Sequence, residues 1–468
     1  MKRLSEGQIQ QFQKATEDVL ENVGFHVMHE KLLRRCRAAG AKVDEASGIV
    51  RIPGPLLREL LAQVPSQYQI AGINGDGVTI GGDQQHCLAI VTDPWIVDYE
   101  TQLPRRPCLE DLRRHTIIAQ KLESVVAISR MDFPVTDVEG PTSSLRALEV
   151  HLLHHAKHNC VLATSMESLE QWLQIAGILT QGRDLCESRL ISAGVAVLSP
   201  LALTGANGDL LLTACAHNFP VMPTVCPMAG TTAPYSRAGT LLLGNAEALF
   251  VAALSQIVRP GSPFLYGVGA SRTDMQSGGD MYYTLDKVLW KLAAAQMGRS
   301  YNMPVASECG GTMTYRYDQQ NGAEGMLFML ASYESRAQSL AGIGSCYNAV
   351  GMSAEMMVIQ SAWLEAAKFL NQGIDTDNLD SMVDCIKRAG PGGHYLTDDL
   401  TIEMLRTPEF FSNDLLDYSG TYGPYPSLLE RAHNKVEAMV ADFESPVPEK
   451  VQEDLRGYFH DEYVRLER

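Results

Sequence analysis

The chain has 468 residues, of which 45% are hydrophobic and 20% charged, and its formal net charge is -17. A sizeable core is therefore expected, and neither a disordered nor a fibrous chain fits. Nucleic acid is excluded as a partner because phosphate neutralisation needs clustered Lys and Arg, and a membrane surface is disfavoured for the same reason. The opening Met1 to Gln11 alternates charged and polar residues, and no run reads as long enough to span a bilayer, so a cytoplasmic location is expected. The ten cysteines are scattered without a CxxC pair and are expected to be buried thiols rather than disulfides.

Leu4 to Val23 and Lys31 to Ala39 carry apolar residues at helical spacing. An extended piece, Gly48 to Ile52, and a helix opened by proline, Pro55 to Val64, come next. Tyr68 to Ala71, Val78 to Ile80 and Leu88 to Thr92 read as strands with Gly and Asp at the turns, and Cys108 to Leu122 returns to helix. An N-terminal α+β extension over residues 1–120 is expected. From Val125 onward a short apolar run, a Gly-rich or polar loop and an amphipathic helix alternate. Strand candidates begin near Val125, Cys160, Leu190, Val221, Phe264, Val305 and Leu340, one βα unit apart. The eighth is either Leu88 to Thr92 or a segment after Asn371. No GxGxxG turn opens a helix, which favours an α/β fold of the TIM (β/α)8 barrel type over residues 121–389 rather than an open doubly wound sheet. A C-terminal helical cap over 390–468 completes the expected layout.

In a barrel the residues after each strand converge on one face. Here those loops are rich in small residues: 227–235 (PMAGTTAPY), 266–269 (YGVG) and 308–312 (ECGGT). Small residues at strand ends let a bulky ligand or partner approach the backbone. Trp95, Tyr99, Tyr235, Tyr266, Tyr282, Tyr283, Tyr315, Tyr317 and Tyr347 accompany the loops, and a cage of such rings binds a quaternary ammonium group by cation–π attraction. No GxSxG, Walker or HExxH motif is present. His151, His154, His155 and His158 could share a helical face, and Cys226, Cys309 and Cys346 fall near the ends of three strands. Either set is a conceivable zinc donor group, although partly solvated histidines and inert thiols are the plainer readings.

The segments PMAGTTAPYSRAG (227–239), QIVRPGSPFLYG (256–267) and GPGGHYL (390–396) closely resemble the trimethylamine methyltransferase superfamily. The resemblance extends from about Cys108 to the end of the tail, and more loosely over the extension. It implies a TIM barrel whose top face meets a separate corrinoid-binding protein. Members that demethylate trimethylamine carry pyrrolysine in the loop after the seventh strand, where this chain has ordinary residues, Gly344 to Gly351 (GSCYNAVG). The resemblance therefore points to the branch without pyrrolysine, whose substrates are betaines.

Attack of Co(I) on a quaternary N-methyl expels a neutral tertiary amine, so no acid or metal is needed to activate the leaving group. The protein need only bind, aim and keep water out. The expected function is methyl transfer from glycine betaine or a related quaternary amine to a corrinoid protein, with no tightly bound metal. Substrate-binding candidates are Trp95, Tyr235, Tyr266, Glu308, Arg316, Tyr347, Asn348 and His394, with no catalytic residue assigned. Arg316, Arg272 and His394 are the candidates for the substrate carboxylate. Two other readings stay open: a zinc-dependent corrinoid methyltransferase acting on methanol or thiols, and a non-catalytic betaine-binding protein. A homo-oligomer is a further expectation.

Overall fold

The apolar runs of the sequence pair in parallel to build the central sheet. A computed structural model describes residues 3–162, 165–420 and 422–467. Its main strands are β1 (His86–Ile90), β2 (Val125–Ser129), β3 (His158–Val161), β4 (Ile191–Ala196), β5 (Val221–Thr224), β6 (Ala306–Glu308) and β7 (Ser339–Ala341). They lie in the order β5-β4-β3-β2-β1-β7-β6, all parallel. Segment 264–266 bridges the two edges, pairing in parallel with β5 through Val221 and Phe264 and with Val305 through Tyr266. Each strand is followed by a helix: α1 (Leu109–Lys121), α2 (Ser143–Leu153), α3 (Met166–Leu179), α4 (Gly205–Ala216), α5 (Arg237–Val258), α6 (Leu285–Ser300, after 264–266), α7 (Gln319–Glu334) and α8 (Ala354–Gln372).

The strand left open in the sequence reading is His86–Ile90, held between β2 and β7. The parallel sheet therefore starts at residue 86, upstream of the expected core boundary at 121. Inside it, Leu88, Ala127, Cys160, Met222, Leu265, Ala306 and Ala341 pack on one another, one from nearly every strand. An antiparallel hairpin, Gln67–Ala71 with Gly77–Gly81, brings Ile70 and Ile80 into the same cluster. Opposite this plug, the loops at the strand C-termini touch one another, because parallel strands deliver all their C-terminal ends to one face.

The rest of the N-terminal region packs on the outside. Strands Phe25–Val27, Lys42–Asp44 and Ile49–Arg51 join Ala202–Leu203 in a small sheet, and Phe25 stacks on Phe250 of α5 with ring centroids 4.0 Å apart. Sandwiched between that region and the central sheet, α5 is apolar nearly all round, as a helix buried on every side must be. By length and composition α5 could cross a bilayer, contrary to the sequence reading, but most of its apolar stretch is buried inside the molecule. The ten cysteines are all free, seven of them buried and Cys226 exposed.

Candidate active site

The end of β6 places Glu308 where helix α6 passes beside it. Two α6 lysines, Lys287 and Lys291, lie one turn apart and direct their ammonium groups at Glu308 Oε2, at 3.2 and 3.4 Å. Lys291 also donates to the Glu308 carbonyl at 2.7 Å, and Lys287 to the Ala270 carbonyl at 3.2 Å. Tyr282 donates its hydroxyl to Glu308 Oε1 at 2.5 Å, and its ring lies 2.9 Å from the Lys287 ammonium. The lysine side chains are 1% and 2% exposed, whereas Glu308 keeps 21% of its side chain open to solvent. Burial pushes the Glu308 carboxyl up, but the two ammonium groups outweigh it and hold the acid below its usual range. Burial lowers both lysines against the pull of Glu308, bringing Lys291 to about 8. Asp280 also faces Lys287 from the neighbouring loop.

Gly269 leaves the space in which these groups meet. A Cβ there would sit 2.9 Å from the Tyr282 hydroxyl, 3.0 Å from Cys226 Sγ and 3.4 Å from Glu308 Oε1. Asn348, in the left-handed region at φ 55°, stitches two loops together. It accepts from the Tyr282 and Tyr283 amides at 2.7 and 3.4 Å and donates to the Asp280 carbonyl at 2.6 Å. Tyr283 donates its hydroxyl to Ser345 Oγ at 3.1 Å. The loops after 264–266, β6 and β7 are thus one fastened rim.

Beside this charged group lies an aromatic one. Trp95 follows β1 and pairs with Gly351; its ring meets Tyr347 edge-on at 6.5 Å, and Tyr347 meets Tyr315 edge-on at 5.4 Å. All three rings are half-buried. The Arg106 guanidinium covers one face of Trp95 at 3.9 Å. Asp93, two residues before Trp95, is 8% exposed with no hydrogen bond or ion pair among the described residues. Burial raises its carboxyl well above the usual range, and its charge bears on Tyr283 and Cys346.

The expected set therefore divides. Trp95, Glu308, Tyr347 and Asn348 come together at the strand ends, with Asn348 serving as a loop fastener. Tyr266 does not join them: adjacent strand residues face opposite ways, so Leu265 enters the sheet interior while Tyr266 is buried against the helices and donates to Asn245 Oδ1 at 2.8 Å. Tyr235 is 64% exposed on the 227–239 loop. Arg316 is exposed near the Tyr315 ring, and Arg272 pairs with Asp286 at 3.8 Å. His394 is exposed on the tail. The buried cations of the site are the α6 lysines, which sequence reasoning missed. Their signal was present: two lysines at i and i+4 among Val288, Leu292, Ala293 and Ala294 are out of place unless a partner awaits them.

The candidate metal donors are not assembled. His151 and His155 are buried with their Nε2 atoms 3.1 Å apart, a hydrogen-bond separation, and burial depresses the pKa of both. Among the described residues no three His, Cys, Asp or Glu side chains converge as a metal site would require.

The sequence model of the trimethylamine methyltransferase (MTTB) family matches residues 1–463. A glycine betaine methyltransferase of Desulfitobacterium hafniense is 26% identical over 455 residues, covering 95% of this chain and 93% of that protein. A proline betaine:corrinoid methyltransferase of Eubacterium limosum is 26% identical, covering 93% and 92%. A trimethylamine methyltransferase MttB of D. hafniense is 23% identical, covering 95% and 90%. The solved monomethylamine methyltransferase of Methanosarcina barkeri shares the fold, with a TM-score of 0.54 at 12% identity, covering 94% and 88%. The chain therefore belongs to the trimethylamine methyltransferase family and is a methyltransferase.

Proposed function

We infer that this methyltransferase moves one methyl group from a carboxylate-bearing quaternary amine, a betaine, to a corrinoid carried by a separate protein, on a closed (β/α)8 barrel spanning about residues 86–372. The observation that carries the reading is the polarity of the rim. A betaine is positive at one end and negative at the other, and the rim offers both the edge-on rings of Trp95, Tyr347 and Tyr315 and the buried Lys287 and Lys291. Aromatic faces favour the ammonium; the two buried ammonium groups, set against the single carboxylate of Glu308, favour the substrate carboxylate and repel a substrate that is only cationic. Relatives acting on glycine betaine and proline betaine support the same class.

When a corrinoid is bound by the partner, it supplies the nucleophile. The chain's own groups do the rest. The lysines anchor the carboxylate, the rings hold the ammonium with a methyl aimed outward, and the rim fastened by Asn348 limits water. No group here need move a proton, since the departing amine is neutral. The glycine-rich ends of 264–266 and β6 suit close approach of a large flat cofactor.

Incubation with Co(I) cobalamin and a panel of amines tests the reading. Glycine betaine or a related betaine should be demethylated, while choline and trimethylamine are turned over at least about tenfold more slowly. Equal rates with trimethylamine or choline would end it. Trp95→Ala and Tyr347→Ala should each lower kcat/KM for the betaine by about tenfold or more, the loss of roughly 1.4 kcal/mol, whereas Tyr235→Ala leaves it within about twofold.

A further inference from the structure

Two consecutive arginines leave the hairpin that follows β1 in opposite directions. Strand Trp95–Val97 pairs antiparallel with Pro104–Arg105, with Ile96 across from Arg105, so Arg106 falls opposite Trp95. Successive strand residues point to opposite faces. Arg105 turns to one side and is held there by charge-assisted hydrogen bonds, to Asp98 at 3.0 Å and to both carboxylate oxygens of Asp111 at 2.7 Å. Arg106 turns to the other side and lies over the Trp95 ring, its guanidinium carbon 3.9 Å from the centroid. It is exposed, and among the described residues no carboxylate pairs with it, although the chain has 55 Asp and Glu and a net charge of -17. Its side chain donates to the Pro94 carbonyl at 3.0 Å.

A guanidinium on an aromatic face is held by the same attraction that holds a quaternary ammonium. The ring it covers belongs to the aromatic group of the rim, since Trp95 meets Tyr347 edge-on and Tyr347 meets Tyr315. The chain thus lays one of its own cations on a ring assigned to the substrate ammonium. Two positive groups cannot share that face. Arg105 fixes the hairpin backbone, while the Arg106 side chain, tied to no carboxylate, is free to swing into water.

We propose that Arg106 is a tethered stand-in for the substrate ammonium, holding the Trp95 face until a quaternary amine displaces it, a role that rests on the betaine reading of the site. A tethered group competes as though it were present at roughly millimolar concentration or more. Every ligand of the ring is weakened by the same factor. A betaine, with a second anchor at Lys287 and Lys291, still binds where a simple cation does not. The exchange also responds to the reaction: once the methyl has gone to cobalt, the amine left behind is neutral, holds the ring less firmly and gives way to the guanidinium.

Calorimetric titration of the full-length chain with tetramethylammonium tests the exchange. Arg106→Gln removes the competitor and should tighten tetramethylammonium binding by about two- to fivefold, the factor that an exposed cation–π contact sets. Glycine betaine should tighten by a similar factor. Arg106→Lys keeps a cation, but a more strongly hydrated one, and should gain less in the same direction. In a Trp95→Ala background, Arg106→Gln should leave tetramethylammonium binding unchanged, because the ring through which Arg106 acts is gone. Binding that Arg106→Gln leaves unchanged, weakens or does not reveal at all overturns the proposal, as does a gain that persists without Trp95. Should the glutamine variant lose the wild-type circular dichroism, the lysine variant decides, and binding no tighter than wild type overturns the proposal. Failure of the betaine reading looks different: the wild type would not demethylate betaines with Co(I) cobalamin, while the Trp95-dependent gain in tetramethylammonium affinity would remain.

Discussion

Lys287 and Lys291 owe their chemistry to burial, because an ammonium removed from water holds its proton less firmly. Burial brings Lys291 down to about 8, and a lysine is cationic only below its pKa. Carboxylate anchoring should therefore be intact near neutrality and fade above it. KM for the betaine is expected to rise about tenfold between roughly pH 7 and 9, with kcat little changed. Lys291→Met should raise KM throughout and flatten the profile; a profile unaltered by that substitution removes Lys291 from the binding site. Asp93 has the opposite linkage. Its folded pKa lies above the unfolded value, so it favours the folded state only at acid pH and costs stability once pH rises through that pKa. Asp93→Asn should raise the melting temperature at neutral pH, by on the order of 2 °C. A lowered melting temperature would show that Asp93 has a stabilising partner. At this scale the sequence was partly legible. Trp95, Tyr347 and Glu308 could be found from their place after strands. The lysines sit on a helix, and only packing shows which face of α6 meets the end of β6.

Helices and strands were legible where periodicity is strong, as in Cys108 to Leu122, observed as Leu109–Lys121, and in the strand starts from Val125 to Leu340. Pairs of residues that lie on different elements were less so. Gly298 on α6 shows why. A Cβ there would come within 2.5 Å of the Tyr266 ring and 2.7 Å of Val305 Cγ2, and Tyr266 cannot retreat because its hydroxyl is held by Asn245. Alanine improves helix propensity by about 1 kcal/mol, but overpacking costs roughly 1–3 kcal/mol. Gly298→Ala is therefore expected to lower stability, read as a reduced denaturation midpoint at unchanged slope. Stabilisation would mean that the helix can shift outward. From the sequence alone, Tyr266 reads equally well as a pocket residue or a core residue, because a three-residue strand carries too few alternations to fix which face is inward.

On the scale of the whole molecule, the order of apolar runs and their spacing determined a parallel sheet wrapped by helices, and three loop segments together identified the family. Those are properties of local pattern, written wherever the chain buries a face. What tertiary structure alone decided depends on contacts between distant residues. It decided that His86–Ile90, one of two candidates the sequence left open, is the remaining strand of the sheet, because pairing with β2 and β7 leaves no mark in the strand's own residues. It brought Trp95 to Tyr347 across more than half the chain, and it set two helical lysines against a strand-end glutamate.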